Sequence, residues 1–127
     1  MNLFDSSAIF NLFLQGKYNT LVSGSTIPLA KYEIGNVLWK NYKIRKKISK
    51  KEAIEAGNVL FELIDSMETV EPPLLFAIRI ALEEGITFYD SSYVAAAIES
   101  GYDLITDDMK LREVASSKVR TMNSTEL

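Results

Sequence analysis

The sequence predicts an α/β protein in which helices cover both faces of a central, mostly parallel sheet of about five strands. Short apolar runs alternate with helical segments along most of the chain, a pattern typical of parallel sheets. The 127 residues, of which 47% are hydrophobic, suffice to bury one core. No linker rich in glycine or proline divides them, so we expect residues 1–127 to form a single domain.

The first elements follow from a short apolar run and from helix signals. Residues 2–4, NLF, are typical of a buried strand. The helix after it ends at Gly16, and Ser6 or Ser7 is expected to be its N-cap. A second strand or extended segment is predicted at residues 25–30. The apolar N-terminus is interpreted as strand and helix, and not as a signal peptide, because it lacks a basic start.

Two long helices are predicted next. Apolar side chains recur at helical spacing between residues 31 and 47. The segment 49–67 begins at Ser49, a favourable N-cap, and Glu52 completes a capping box. A short extended stretch at residues 69–73 follows them.

The second half of the chain continues the alternation of helices and strands. Gly85 and Gly101 mark the ends of two of its helices, and Ser91 or Ser92 is expected to cap the second. The predicted elements are a helix at 74–85, a strand at 86–90, a helix at 91–101, a strand at 102–108, a short helix at 109–117 and a final strand at 119–122.

Cysteine and histidine are both absent from the sequence. Disulfides are therefore excluded, which fits a cytoplasmic protein. Thiol nucleophiles, imidazole bases and zinc sites built on cysteine or histidine are excluded as well. Any catalysis must use carboxylates, hydroxyls, lysine or a hard metal ion held by oxygen, for which Mg²⁺ or Mn²⁺ is the natural choice. No apolar run is long enough to span a membrane.

Positive charge is concentrated in one stretch of the chain. Residues 40–51, KNYKIRKKISKK, contain seven of the fourteen lysines and arginines and no acid, whereas the whole chain has a net charge of −3. Such a patch suits a polyanionic partner, although a solvated helix end also explains it. The neighbouring Trp39 and Tyr42 are interpreted first as core or dimer contacts and second as surfaces on which RNA bases stack. The candidate phosphate contacts are Lys43, Arg45, Lys46 and Lys47.

Carboxylates follow three of the predicted strands. Asp5 and Asp90 each end one strand, and Asp107 and Asp108 end another, while Glu33 opens the helix after the second strand. The carboxyl ends of parallel strands share one edge of the sheet, so we expect these acids to lie together. Clustered carboxylates repel one another unless a divalent cation neutralises them. A bound cation acidifies water and stabilises charge on phosphate, which points to phosphodiester hydrolysis.

Four segments of the sequence resemble the motifs of one family. They are FDSSAI at the N-terminus, YEIGNVLWK in the second helical segment, TFYDSSYVAAAIESG and DLITDDMKL. Their order and approximate spacing, over essentially the full length, are similar to those of the PIN domain, and more narrowly of the VapC-type ribonuclease toxins of prokaryotic toxin–antitoxin pairs. The resemblance implies a PIN-like three-layer α/β/α fold.

The resemblance also assigns roles to individual residues. It implies that Mg²⁺ or Mn²⁺ is bound by the four family acids, which match Asp5, Glu33, Asp90 and Asp108. Thr106 fits the threonine–x–aspartate pattern that ends in Asp108, which leaves Asp107 as a supporting or alternative ligand. Ser6 or Ser7 matches a hydroxyl residue that orients a carboxylate or a water.

The activity that the resemblance implies is endonucleolytic cleavage of RNA by water activated at one or two metal ions. It also implies a homodimer and a small VapB-like antitoxin whose tail covers the acidic groove. A housekeeping RNA-processing PIN nuclease and a non-catalytic PIN-fold binding module remain alternatives. A phosphotransfer receiver domain is disfavoured because its acidic pair should follow the first strand, where this chain has only Asp5.

Overall fold

A parallel sheet of five short strands lies at the centre of the computed structural model, which describes residues 1–127. The strands are β1 (Asn2–Phe4), β2 (Ser25–Thr26), β3 (Glu68–Thr69), β4 (Asp103–Ile105) and β5 (Thr121–Met122). Their order across the sheet is β3-β2-β1-β4-β5, and every neighbouring pair is parallel. The predicted central sheet is therefore confirmed, and it is parallel throughout.

Helices connect all the strands and form a layer on each face of the sheet. The seven α-helices are α1 (Ser6–Leu14), α2 (Tyr18–Val22), α3 (Leu29–Lys43), α4 (Lys50–Asp65), α5 (Leu74–Glu84), α6 (Phe88–Ser100) and α7 (Met109–Ala115), and a 3₁₀ turn (Ser124–Glu126) follows β5. No helix combines the length and the apolar character that crossing a lipid bilayer requires.

Each face of the sheet has its own hydrophobic core, because consecutive side chains of a strand point to opposite faces. In β1, Leu3 packs in the core formed with α5, α6 and α7, whereas Phe4 packs in the core formed with α1, α3 and α4. Leu104 and Ile105 of β4 divide between the two cores in the same way. All four side chains are fully buried, so the two central strands anchor both helical layers.

Residues 86–90 do not form the predicted strand. Thr87 instead caps α6, whose first turn contains Asp90, and the Thr87 hydroxyl accepts a hydrogen bond from the Asp90 backbone N–H at 3.1 Å. Ser91 and Ser92 are therefore helical residues and not caps. The helix is buried over seven consecutive residues, so its sequence lacks the amphipathic period that identifies a surface helix.

Three further details differ from the sequence prediction. Asp5, and not Ser6 or Ser7, is the N-cap of α1, since its Oδ1 accepts a hydrogen bond from the Ala8 backbone N–H; aspartate is as favourable an N-cap as serine. The five-residue helix α2 was not predicted, because so short a helix shows no period. Helix α3 ends at Lys43, so much of the basic stretch lies in the loop before α4.

Gly24 precedes β2 at a point where the chain passes close to β1. A Cβ atom at this position would lie 2.2 Å from Cε2 of Phe4 and 3.0 Å from the Asn2 carbonyl oxygen. We predict that Gly24→Ala lowers the free energy of unfolding by about 2 kcal/mol, because the buried Phe4 ring and β1 must shift.

The matched control is Gly35→Ala in α3, where the nearest atom to an added Cβ is 3.9 Å away. This change should stabilise the protein by up to about 1 kcal/mol, since alanine favours a helix more than glycine does. Urea denaturation measures both variants, and equal stability of Gly24→Ala and the wild type would contradict the close approach.

Candidate active site

Asp5 lies at the carboxyl end of β1, at the edge of the sheet where the neighbouring strand β4 also ends. Only 4% of the residue is exposed. Its Oδ1 accepts hydrogen bonds from Ser7 Oγ at 2.7 Å and from the Ala8 N–H at 2.9 Å, and its Oδ2 accepts one from Thr106 Oγ1 at 2.5 Å. Both carboxylate oxygens are therefore held by the protein.

Burial raises the pKa of the Asp5 carboxyl from 3.8 to about 6. Hydrogen bonds from Thr106, Ala8 and Ser7 lower this pKa, whereas the nearby charge of Asp107 raises it. The folded protein thus binds the proton more tightly than the unfolded chain, and the carboxylate present at neutral pH reduces stability. A cation beside Asp5 would offset that loss, because it favours the charged form.

Glu33 lies in the second turn of α3 and is held by Tyr93 of α6. The Tyr93 side chain is buried, and its hydroxyl donates a hydrogen bond to Glu33 Oε1 at 2.6 Å. Burial raises the pKa of this hydroxyl, as do the negative charges of Glu33 and Asp5, so it remains protonated and donates at neutral pH. Tyr93 thereby fixes the direction of the Glu33 carboxylate.

Asp90 lies in the first turn of α6 and is partly buried. Burial raises the pKa of its carboxyl, the negative charges of Asp108 and Glu33 raise it further, and the Thr87 hydroxyl lowers it. Charges that act on the Asp90 carboxyl lie near it, because the interaction weakens with distance. Asp108 and Glu33 are therefore neighbours of Asp90, although the three residues belong to different segments of the chain.

The adjacent aspartates after β4 have different surroundings. Asp108 is exposed and caps α7, where its Oδ1 accepts hydrogen bonds from two backbone N–H groups at 3.0 and 3.1 Å and its Oδ2 has no protein partner. Asp107 Oδ1 accepts a hydrogen bond from the Ser124 N–H, and its Oδ2 accepts from Asn11 Nδ2 and Ser124 Oγ, each at 2.6 Å. Asp107 thus ties the end of β4 to α1 and to the 3₁₀ turn, whereas Asp108 keeps one oxygen free.

Two hydroxyl groups link these acids. Thr106 Oγ1 donates to Asp5 and accepts a hydrogen bond from the Asp108 N–H at 3.1 Å. Ser7 Oγ also donates to Asp5, and it accepts a hydrogen bond at 3.0 Å from the backbone N–H that follows Thr106. Of the two serines considered from the sequence, Ser7 contacts the first acid, whereas Ser6 faces a groove along α3.

The carboxylates of this edge fit a hard cation by their chemistry, since Mg²⁺ and Mn²⁺ prefer oxygen ligands. Their side chains do not converge on one point, and no group of three encloses a metal position. The hydrogen bonds explain this, because Asp5 is turned toward the hydroxyls that hold it and one oxygen of Glu33 is turned toward Tyr93. Asp108 Oδ2 and Glu33 Oε2 have no protein partner, so these two oxygens are available as ligands.

Sequence reasoning named the acids as candidates, and it also named Ser7 and Thr106, which hold Asp5, but it missed Tyr93, Asn11 and Ser124. Tyr93 carried a weak signal, as a phenol within an alanine-rich helix three residues after Asp90. Asn11 and Ser124 carried none, because they lie 96 and 17 residues from Asp107 along the chain and only the fold brings them together.

The basic residues predicted to contact phosphate are all exposed. Lys43 ends α3, and the other three lie in the loop that follows, where Arg45 Nη1 donates a hydrogen bond to Asn41 Oδ1 at 3.2 Å. Trp39 and Tyr42 are 52% and 41% exposed. The interpretation of these two aromatic residues as core residues is therefore wrong, and a surface contact remains.

A parallel sheet in the order β3-β2-β1-β4-β5, with acids gathered at its carboxyl edge, defines a PIN-like α/β/α protein. No protein-family model matches the sequence. Two curated relatives from Pyrobaculum aerophilum do match. Exonuclease VapC9 is 37% identical over 86 residues, which cover 67% of this chain and 62% of the relative. Ribonuclease VapC3 is 37% identical over 93 residues, which cover 69% of this chain and 68% of the relative. The chain belongs to the VapC family of PIN-domain proteins.

Solved structures share the fold over nearly the whole chain. PAE2754 from Pyrobaculum aerophilum has a TM-score of 0.80 and 29% identity, and the match covers 98% of this chain and 91% of that one. VapBC-1 from nontypeable Haemophilus influenzae has a TM-score of 0.61 and 13% identity, with 98% of both chains covered. FitAcB from Neisseria gonorrhoeae has a TM-score of 0.62 and 16% identity, with 100% of both covered. These likenesses confirm the predicted PIN-like fold.

Proposed function

We propose that this protein is a metal-dependent endoribonuclease and the toxin of a VapBC-like toxin–antitoxin pair. The observation that carries the proposal is the set of acids at the carboxyl edge of the sheet, where Asp108 and Glu33 lie near Asp90 and Thr106 links Asp108 to the buried Asp5. Gathered carboxylates destabilise a fold unless a cation neutralises them. The names exonuclease VapC9 and ribonuclease VapC3 support nuclease chemistry.

The chain's own residues would prepare the site for Mg²⁺ or Mn²⁺. When bound, such a cation activates water for attack on phosphorus and stabilises charge on the phosphate. Thr106 and Ser7 hold Asp5 in place. Tyr93 holds Glu33, and two backbone N–H groups at the start of α7 hold one oxygen of Asp108. The residues that would hold the cation are Asp5, Glu33, Asp90 and Asp108.

A circular single-stranded RNA offers a sharp test, because it has no ends from which an exonuclease could start. Incubation with the purified protein and Mg²⁺ or Mn²⁺ should open the circle and leave a 5′-phosphate and a 3′-hydroxyl, and EDTA should prevent this. If linear RNA is degraded while the circular RNA stays intact, the activity is that of an exonuclease and not of an endonuclease. An absence of cleavage of either RNA with both metals would overturn the proposal.

The surface supports the proposed protein partners. Helix α5 exposes a set of apolar side chains, and an apolar surface of this kind is typical of a protein interface. The exposed residues of α5 are Leu74, Leu75, Ile78 and Leu82. We assign this surface to a homodimer, which sedimentation of the wild type and of Leu75→Glu would test.

A growth assay tests the antitoxin. Expression of the protein should arrest growth of a host cell, and coexpression of a VapB-like antitoxin should relieve the arrest.

The hydrogen bond from Tyr93 to Glu33 gives a further prediction. Tyr93→Phe should lower the rate of RNA cleavage by about 10–100-fold, because the supporting partner of a metal ligand is lost. The control is Tyr102→Phe, which removes a similar hydrogen bond to Glu68, 2.9 Å long and exposed, and should leave cleavage unchanged. Initial rates measured for both variants decide the matter, and equal rates for Tyr93→Phe and the wild type would remove the role given to Tyr93.

A further inference from the structure

A groove of about 540 Å³ runs along α3 beside the candidate acids. Its lining includes Glu33 and Lys40 of α3 and two tyrosines, Tyr32 and Tyr89. Each tyrosine directly precedes a candidate metal ligand in the sequence, Glu33 in one case and Asp90 in the other. One candidate metal ligand, Glu33, thus lines the groove, and a second, Asp90, is next in sequence to a lining residue.

The two tyrosines are not explained by folding. Tyr32 is 79% exposed and Tyr89 is 59% exposed, so most of each ring contributes nothing to either core. Exposed aromatic rings are the surfaces on which proteins stack unpaired nucleic-acid bases, and each stacked base contributes about 1–3 kcal/mol.

Side-chain charge changes from negative to positive along α3. Glu33 lies at the acidic end of the groove, and Lys40 lies two turns further on, about 10 Å along the helix axis. Lys40 makes no ion pair within the protein. The exposed Lys43 and the basic loop continue in the same direction. A phosphate chain that leaves the acidic site along α3 thus moves away from negative charge and toward positive charge.

We infer that this groove binds single-stranded RNA, with unpaired bases stacked on Tyr32 and Tyr89 and a backbone phosphate at Lys40. The inference rests on the proposed function for the presence of RNA at the acids. It adds the residues of this chain that hold the strand beside the acids. The bases of a duplex are stacked on one another and do not expose their faces to a protein ring, so stacking on these two rings requires an unpaired strand.

Binding is tested in EDTA, so that no cleavage is required. The probe is a short single-stranded RNA that contains 2-aminopurine, whose fluorescence reports stacking. Tyr32→Ala and Tyr89→Ala should each weaken binding by about 5–100-fold, whereas Tyr32→Phe and Tyr89→Phe should bind like the wild type. Tyr18→Ala, which removes an exposed tyrosine from α2 outside this groove, should also bind like the wild type.

Two further measurements complete the test. Lys40→Ala should reduce the slope of log affinity against log salt by about 0.7, as expected for one lost phosphate contact on a single strand. A duplex of the same sequence should bind far more weakly than the single strand. Tyr32→Ala and Tyr89→Ala should melt at the wild-type temperature, because most of each ring removed is exposed.

The outcomes separate this inference from the proposed function. If the wild type cleaves RNA but Tyr32→Ala and Tyr89→Ala bind RNA as the wild type does, the inference that the groove binds RNA is wrong, whereas the proposed nuclease activity is retained. Single-strand binding that depends on both tyrosines, without cleavage in Mg²⁺ or Mn²⁺, would overturn the proposed nuclease activity and retain the RNA-binding groove. Alanine variants that lose self-association while binding RNA normally would assign the tyrosines to a protein interface and overturn the inference.

Discussion

Replacing Asp5 with asparagine is expected to abolish RNA cleavage and, at neutral pH, to raise the melting temperature. The cleavage rate should fall by more than the roughly 100-fold that the loss of an outer partner costs a metal site, because asparagine removes the charge that a cation requires. Asparagine is also a good N-cap for α1, and its amide oxygen can accept the hydrogen bonds from Ser7 and Ala8, while the Thr106 hydroxyl, which now donates to the other oxygen, can accept one from the amide NH₂. The fold should therefore tolerate the change.

The pH dependence of stability distinguishes charge from packing at Asp5. Its pKa is about 6 in the folded protein and 3.8 in the unfolded chain. Between these values the folded state keeps a proton that the unfolded chain has released, so the stability of the wild type falls as the pH rises, by about 3 kcal/mol in all. Asp5→Asn has no such titration. The difference in melting temperature between Asp5→Asn and the wild type should be small near pH 4, increase up to about pH 6 and then remain constant.

Thermal unfolding in EDTA across this pH range, together with cleavage assays in Mn²⁺, measures both effects. Asp65→Asn is the control, because Asp65 is an exposed aspartate at the end of α4, paired with Lys31; it should keep full activity. Addition of Mn²⁺ should raise the melting temperature of the wild type more than that of Asp5→Asn. Retained cleavage by Asp5→Asn would remove Asp5 from the metal site.

The elements with clear local signals were predicted from the sequence. The buried strands β1 and β4 are short apolar runs that end in acids, and the helix after Ser49 has the capping box that its sequence predicts. Asp5 and Asp108 come near each other because β1 and β4 are neighbouring parallel strands that end at one edge; the shared edge was predicted, whereas the order of the strands was not.

Other features depend on contacts that sequence patterns do not contain. The segment at 86–90 carries β-branched and aromatic residues, which favour a strand, yet Thr87 caps a helix there because α6 packs against β1 and β4 in the centre of one layer. The bond from Tyr93 to Glu33 joins residues 60 positions apart. The exposure of Tyr32 also depends on the fold, since the periodicity of α3 does not show that a groove lies beside it.

The adjacent residues Asp107 and Asp108 yield the second prediction with a large effect. Asp108→Asn should lose activity and keep its stability, whereas Asp107→Asn should lose stability and keep most of its activity. Asp108→Asn keeps the N-cap of α7, since asparagine caps a helix about as well as aspartate, but it removes the negative charge that a cation would meet at Oδ2. Cleavage should fall by more than about 100-fold, while the free energy of unfolding changes by only a few tenths of a kcal/mol.

Asp107→Asn should instead destabilise the protein by about 1.5–3 kcal/mol, because hydrogen bonds to a charged group are lost. Three groups donate to the two oxygens of Asp107, namely Asn11 Nδ2, the Ser124 N–H and Ser124 Oγ, and asparagine, which has a single acceptor oxygen, keeps only part of these bonds. Activity measured well below the melting temperature should stay within about tenfold of the wild type. Urea denaturation and initial cleavage rates on the same two preparations provide the comparison. Loss of activity without loss of stability in Asp107→Asn would exchange the roles of the pair and make Asp107 the metal ligand.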